Sequence, residues 1–194
     1  MRLKRSPPGR QSIMCKGIHA MTDNTAHDGF TLIELLVALA VLAILLGIGV
    51  PVFGKAVASS RQLTSVNQLV ADLNFARSHA ITRGRMITLC AGEQACNGSP
   101  RWSGRILIFL DANQNGQFDA GDDLVQISEL STSLEWSWSN FRNQPHMSFA
   151  PDGTTHSLNG TFTLCRDTSA LRTIVINITG RMRLDLPDDD SRCR

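Results

Sequence analysis

Two short segments carry side chains whose spacing could do chemistry. The first is Gly180-Arg181-Met182-Arg183. In an extended strand, alternate side chains share a face, so Arg181 and Arg183 project together about 7 Å apart. Two guanidinia at that separation match successive phosphates of a nucleic-acid backbone, and each can bind an anion with two parallel N–H donors. Gly180 relieves crowding at the preceding turn, and Arg172 is expected to extend the patch across the adjoining hairpin. The competing role is that of an edge strand whose charges keep other strands from pairing with it. Asp185 and the run Asp188-Asp189-Asp190 lie close by and weaken an anion site.

The second segment runs from Asp111 to Asp122. Asp111, Asn113, Asn115, Asp119 and Asp122 place oxygens at positions 1, 3, 5, 9 and 12 of a twelve-residue loop, with Gly116 at position 6 and the Gln117 carbonyl at position 7. That is the ligand spacing of a calcium loop. Two departures stand out. Position 12 is Asp rather than the longer Glu, and both flanks have strand character. An Asn/Asp/Gly-rich turn whose side chains cap its own backbone accounts for the same residues. Calcium is thus a candidate ligand, and no cofactor is required.

No pattern resembles an active site. His79, His146 and His156 stand apart from any nucleophile motif, and Trp136 with Trp138 suits sheet packing. A non-enzymatic chain without a small-molecule substrate is expected. The formal charge is +2, but residues 1–29 hold five Lys/Arg and two Asp, which leaves the remainder near −1. Nucleic-acid binding therefore needs a local patch rather than a basic domain.

The elements that position these segments follow from hydrophobic period. From Phe30 to Val50 the sequence is apolar apart from Glu34. Twenty-one helical residues span the roughly 30 Å core of a bilayer. A lone carboxylate there is tolerated only if neutral or partnered. Pro51 and Gly54 are expected to kink the helix. Beyond them Leu63, Val66, Leu69, Val70, Leu73, Ala76 and Ala80 recur at helical steps, with Arg61, Asp72, Arg77 and Arg83 at polar positions. Gly84 stops the helix. The period then changes to two, predicting short strands over 86–90, 105–110, 124–130, 134–138, 147–149, 161–165, 172–178 and 181–184.

Cysteine usage adds two constraints. Cys15 lies near the N-terminus, whereas Cys90, Cys96, Cys165 and Cys193 remain in a domain suited to an oxidising compartment. Four cysteines allow three pairings. The expected one is Cys90–Cys96, a local clip, with Cys165–Cys193 tying the tail to the sheet.

The run Gly29-Phe-Thr-Leu-Ile-Glu34 before an apolar helix resembles the N-terminus of type IV prepilins and type II secretion pseudopilins. The resemblance implies cleavage by the prepilin peptidase after Gly29, N-methylation of Phe30, and a role for Glu34 and Pro51 in assembly. Met14 and Met21 offer alternative starts, the latter leaving a short leader. The rest of the chain resembles the GspH/FimT family of minor pilins and pseudopilins. The segments that carry it are Leu73-Asn-Phe-Ala-Arg-Ser-His-Ala80, Cys90/Cys96, Trp102-Ser-Gly104, Asp111–Gly116, Phe149-Ala-Pro-Asp-Gly153, Gly160–Cys165 and Thr179-Gly-Arg-Met-Arg183.

That resemblance implies an α+β fold with a long N-terminal helix on antiparallel sheet. It would comprise a leader (1–29), a membrane and filament-core helix (30–52), its amphipathic continuation (53–84) and a periplasmic β-rich domain (85–194). It implies a single-pass protein of the bacterial inner membrane. Its partners would be other minor and major pilins or pseudopilins and the inner-membrane assembly platform. Gly180, Arg181 and Arg183 match the GRxR element of pilins that bind double-stranded DNA during uptake. The alternative is the minor pseudopilin H of a type II secretion system, which works without DNA.

Overall fold

The computed structural model describes residues 29–188 and Cys193, with the side chains at 49, 51 and 52 left aside. Residues 1–28, with Cys15, Met14 and Met21, lie outside the described residues, as do Asp189, Asp190 and the side chain of Pro51. The chain divides into two units, one ending at Gly47 and one beginning at Ile48.

Helix α1 spans Leu32–Arg83 without interruption. Thr31 caps it: its Oγ1 accepts the Glu34 N–H at 3.3 Å, and its carbonyl accepts that of Leu35. Thr31-Leu-Ile-Glu34 thus has the Thr-x-x-Glu spacing of a capping box. Between Phe30 and Val50 every large apolar side chain is exposed, as suits a segment whose solvent is lipid or other helices.

In the second unit, α1 buries a stripe of Val66, Leu69, Leu73, Ala76 and Ala80. These recur every three or four residues, so they fall on one face. That stripe shares one apolar core with side chains of strands β1 (Ile87–Ala91), β2 (Arg101–Trp102), β3 (Arg105–Leu110), β4 (Asp123–Glu129), β5 (Glu135–Asn140), β6 (Met147–Phe149), β7 (Gly160–Arg166), β8 (Ser169–Ile176) and β9 (Met182–Asp185). They form a four-stranded sheet, β4-β3-β1-β6, and a five-stranded sheet, β2-β5-β7-β8-β9. All the pairings are antiparallel. The core-facing side of the larger sheet carries Trp102, Trp136 and Trp138 around Phe162, with Trp138 stacked on Phe162 at 4.1 Å. Each indole N–H has an acceptor: Ser65 Oγ for Trp136, the His146 carbonyl for Trp138 and the Pro145 carbonyl for Trp102.

Asp72 departs from its expected polar position. It is buried, 2% exposed, facing β4, from which Ser128 Oγ donates at 2.7 Å, while Gln68 Nε2, one turn earlier on α1, donates at 3.2–3.3 Å. Desolvation raises its carboxyl above the usual 3.8, and the donors from Ser128 and Gln68 offset part of that rise. Farther along α1, Arg77 donates from Nε to the Gly153 carbonyl at 2.9 Å and from Nη2 to that of Thr179 at 3.2 Å. It joins the helix to two turns of the β region.

Two disulfides are present, Cys90–Cys96 and Cys165–Cys193. The first lies on the outer face of the smaller sheet, where Cys90, Leu107 and Phe109 form a second small core under Cys96 and Phe118.

Candidate functional site

The β8–β9 connection builds the arginine element. Asn177 closes it: its carbonyl accepts the Gly180 N–H at 2.9 Å, and its side-chain oxygen accepts the Arg181 N–H at 2.9 Å. Gly180 has φ +74°, and a Cβ there would stand 2.2 Å from the Gly153 carbonyl oxygen and 2.9 Å from Arg77 Nε. Packing of this turn against Arg77 and Gly153 therefore demands glycine, whatever binds outside.

Register then decides the faces. Val175 pairs with Arg183 and Ile174 with Leu184. Ile174 is in the core, so Leu184 shares the inner face, and Arg183 lies on the outer one with Asp185. Arg181 precedes the strand by one residue on the alternation of Arg183, and both arginines are exposed. Arg183 donates from Nε and Nη2 to Asp185 Oδ2, at 2.8 and 2.7 Å. Its fork is thus occupied by a carboxylate, while Arg181's guanidinium has no partner among the described residues.

Arg172 does not extend this patch. It pairs with Leu164, whose side chain is in the core, so it lies on the opposite face of the sheet from Arg181 and Arg183. There it is half-buried, with Nη1 on the Leu171 carbonyl, and lines a groove with Leu63, Val66, Leu184 and Leu186.

The Asp111–Asp122 loop turns its carboxylates on itself. Asp111, 2% exposed, accepts the N–H groups of Asn115 and Gly116 and the hydroxyl of Thr88. Since Thr88 donates there, Ser148 must donate to Thr88, at 2.7 Å. Asp122 accepts the N–H groups of Ala112 and Asp119. Asp119 accepts Gly121 N–H and the amides of Asn113 and Asn115; its pKa is lowered first by the bond from Asn113. Asn115 Oδ1 accepts the Gln117 N–H. The carboxylates of the candidate calcium loop thus accept N–H groups of the loop's own backbone, and Asp119 also gathers the amides of Asn113 and Asn115. Among the described residues no group of three or more His, Cys, Asp or Glu is placed to hold a metal.

His146 packs on this loop so closely that a Cβ at Gly116 would fall 2.1 Å from its ring. Its Nδ1 is buried without a hydrogen-bond partner. Desolvation lowers its pKa below 6.5, against the opposing pull of Asp111. No spacing or motif signals this contact, because the two segments meet through the pairing of β1 with both β3 and β6.

Residues 65–180 match the family described as Type II transport protein GspH, and residues 25–50 match the prokaryotic N-terminal methylation motif. Pilin-like protein PilA1 of Thermus thermophilus is 27% identical over 166 residues, covering 81% of this chain and 97% of that protein. A crystal structure of type IV minor pilin FimU from Pseudomonas aeruginosa shares the fold, with TM-score 0.50 and 21% identity, covering 63% of this chain and 91% of that chain. A second crystal form of FimU gives 0.49 and 20%, with 68% and 92% covered.

Proposed function

The chain belongs to the GspH family and carries the N-terminal methylation motif, and from that premise we propose that it is a minor pilin of the GspH/FimT type, built into the tip or initiation complex of a type IV pilus. The observation that carries this reading is the exposed apolar half-helix with one carboxylate, Glu34, four residues beyond Phe30. A carboxylate in lipid must be neutral or partnered, and the N-terminal amine of a neighbouring subunit supplies a partner once Gly29 is removed. The names carried by the relatives, a pilin-like protein and a type IV minor pilin, favour the pilus over a type II secretion pseudopilus. Cleavage after Gly29, methylation of Phe30 and anchorage in the inner membrane belong to the same proposal.

The test is incorporation. Glu34→Ala should be cleaved and anchored yet absent from sheared pili and from complexes pulled down with other minor pilins. Gly29→Phe should keep the leader, seen as an unshifted band. Normal incorporation of the Glu34 variant overturns the proposal. Co-purification of the wild type with secretion components alone favours the pseudopilus.

DNA capture is a second reading, favoured by Arg181 and Arg183 sharing the outer face of an edge strand. Such binding is to phosphate, hence independent of sequence and steeply salt-dependent. The mature chain should shift duplex DNA at low salt, and Arg181→Gln with Arg183→Gln should abolish the shift.

A further inference from the structure

A pocket of about 240 Å³ opens where the Asp111–Asp122 loop meets the β5–β6 connection, lined among others by Gln114, Arg142, Gln144, His146 and His156. Its walls are fixed. Asn140 holds Gln144 by both backbone groups, through its side-chain amide at 2.7 Å and its oxygen at 3.1 Å. The carbonyls of Pro145 and His146 are anchored from beneath by Trp102 and Trp138. Asp111 fixes the opposite wall through Asn115 and Gly116.

The side chains facing this frame leave hydrogen-bonding capacity unused. Gln114, Arg142, Gln144 and His156 donate and accept no side-chain hydrogen bond among the described residues, and His146 Nδ1 is buried without a partner. Left-handed backbone at non-glycine residues gathers here too: Gln114 (φ 60°), Asn143 (54°), His156 (45°) and Ser157 (68°) all line or adjoin the pocket. Such conformations persist where surrounding structure over-determines them, and they concentrate at binding sites. Phe141, next to Arg142, is 90% exposed at the tip of the turn.

We propose that this pocket is a saccharide site that takes one neutral sugar residue, with Phe141, exposed in the same turn beside the lining residue Arg142, as its aromatic partner. Two amides, each a donor and an acceptor, complement vicinal hydroxyls, which also donate and accept. A phosphate or carboxylate could use the donors of Arg142 but would leave the amide oxygens unmatched. It would also approach the carboxylates of Asp111, which acts on His146, and Asp152, which acts on His156. Burial keeps His146 toward its neutral form, in which one ring nitrogen accepts and the other donates. An exposed aromatic ring beside polar groups presents an apolar face to the C–H side of a pyranose.

The experiment is saturation-transfer NMR on the full mature chain in lipid nanodiscs, which carry no sugar detergent. The probes are methyl β-glucoside, methyl β-galactoside, N-acetylglucosamine and inorganic phosphate. At least one sugar should give transfer with affinity on the order of millimolar. Gln144→Ala and Arg142→Ala should each weaken it about fivefold or more, the scale of one lost hydrogen bond. Phe141→Ala should weaken it as well, while Arg181→Gln leaves it unchanged. The melting temperature checks that each variant is folded. Silence from all three sugars overturns the proposal, as does equal transfer in a folded Gln114→Ala/Gln144→Ala variant. Phosphate binding that depends on Arg142 without sugar binding would replace it with an anion site.

Discussion

Arg183 closes its guanidinium fork on Asp185, two residues along the same edge strand, through Nε at 2.8 Å and Nη2 at 2.7 Å to one carboxylate oxygen. A duplex phosphate arriving at this strand must compete with that carboxylate. Asp185→Asn should therefore strengthen binding of duplex DNA at low salt and steepen the salt dependence by about one unit of slope at most. Folding stability should move by less than about 1 kcal/mol, because both side chains are substantially exposed. Gel shifts at three salt concentrations decide it; unchanged binding in Asp185→Asn would leave the pair as an edge-strand charge and nothing more.

Asp111 is a keystone of its loop. Removing the carboxylate in Asp111→Ala strands the Thr88 hydroxyl and two N–H groups beneath the surface. The expected cost is about 2–4 kcal/mol. Melting curves should show the same loss in chelator and in excess calcium. A loss that appears only when calcium is present would assign the loop to a metal.

Asp72 makes stability depend on pH. Because its carboxyl titrates above 3.8 in the folded chain, the folded state keeps that proton to higher pH than the unfolded state does. Its contribution is neutral below 3.8 and turns against folding as pH rises from there through the raised value. Asp72→Asn should raise the urea midpoint at pH 7 and leave it nearly unchanged at pH 3. A larger loss at pH 7 than at pH 3 would mean that the bonds from Ser128 and Gln68 outweigh desolvation.

At Gly180, any side chain meets the Gly153 carbonyl and Arg77. Gly180→Ala should cost about 2–3 kcal/mol through strain at positive φ and displacement of Arg77. Retained stability with lost DNA binding would assign the glycine to ligand approach instead.

Periodicity carried most of the architecture. The apolar run ending at Val50 and the stripe from Val66 to Ala80 specify α1, and alternation locates every strand longer than two residues. β2 escaped because Arg101–Trp102 is too short to show a period. The burial of Asp72 is not legible, because a carboxylate beside a helical stripe has the pattern of a solvent-facing residue; Ser128, which justifies its burial, lies 56 residues away. The face of Arg172 is hidden for a different reason. Which face of β8 it shares with β9 depends on the length of the Asn177–Gly180 turn, and a one-residue change in a hairpin turn inverts that parity. The pocket beside His146 joins loops whose meeting depends on strand order, which alternation does not encode.

The polar clasps along α1 have a mechanical consequence. Ser65 holds Trp136, Asp72 holds Ser128, and Arg77 holds the carbonyls of Gly153 and Thr179. Twelve residues separate the first clasp from the last, about 18 Å of helix axis. A tug along that axis therefore loads all three attachments at once, together with the apolar stripe between them, rather than peeling them off in turn. Within this unit the helix from Ser65 to Arg77 is thus fastened in parallel rather than in series, and lifting it from the sheets requires all three clasps and the stripe to be lost together.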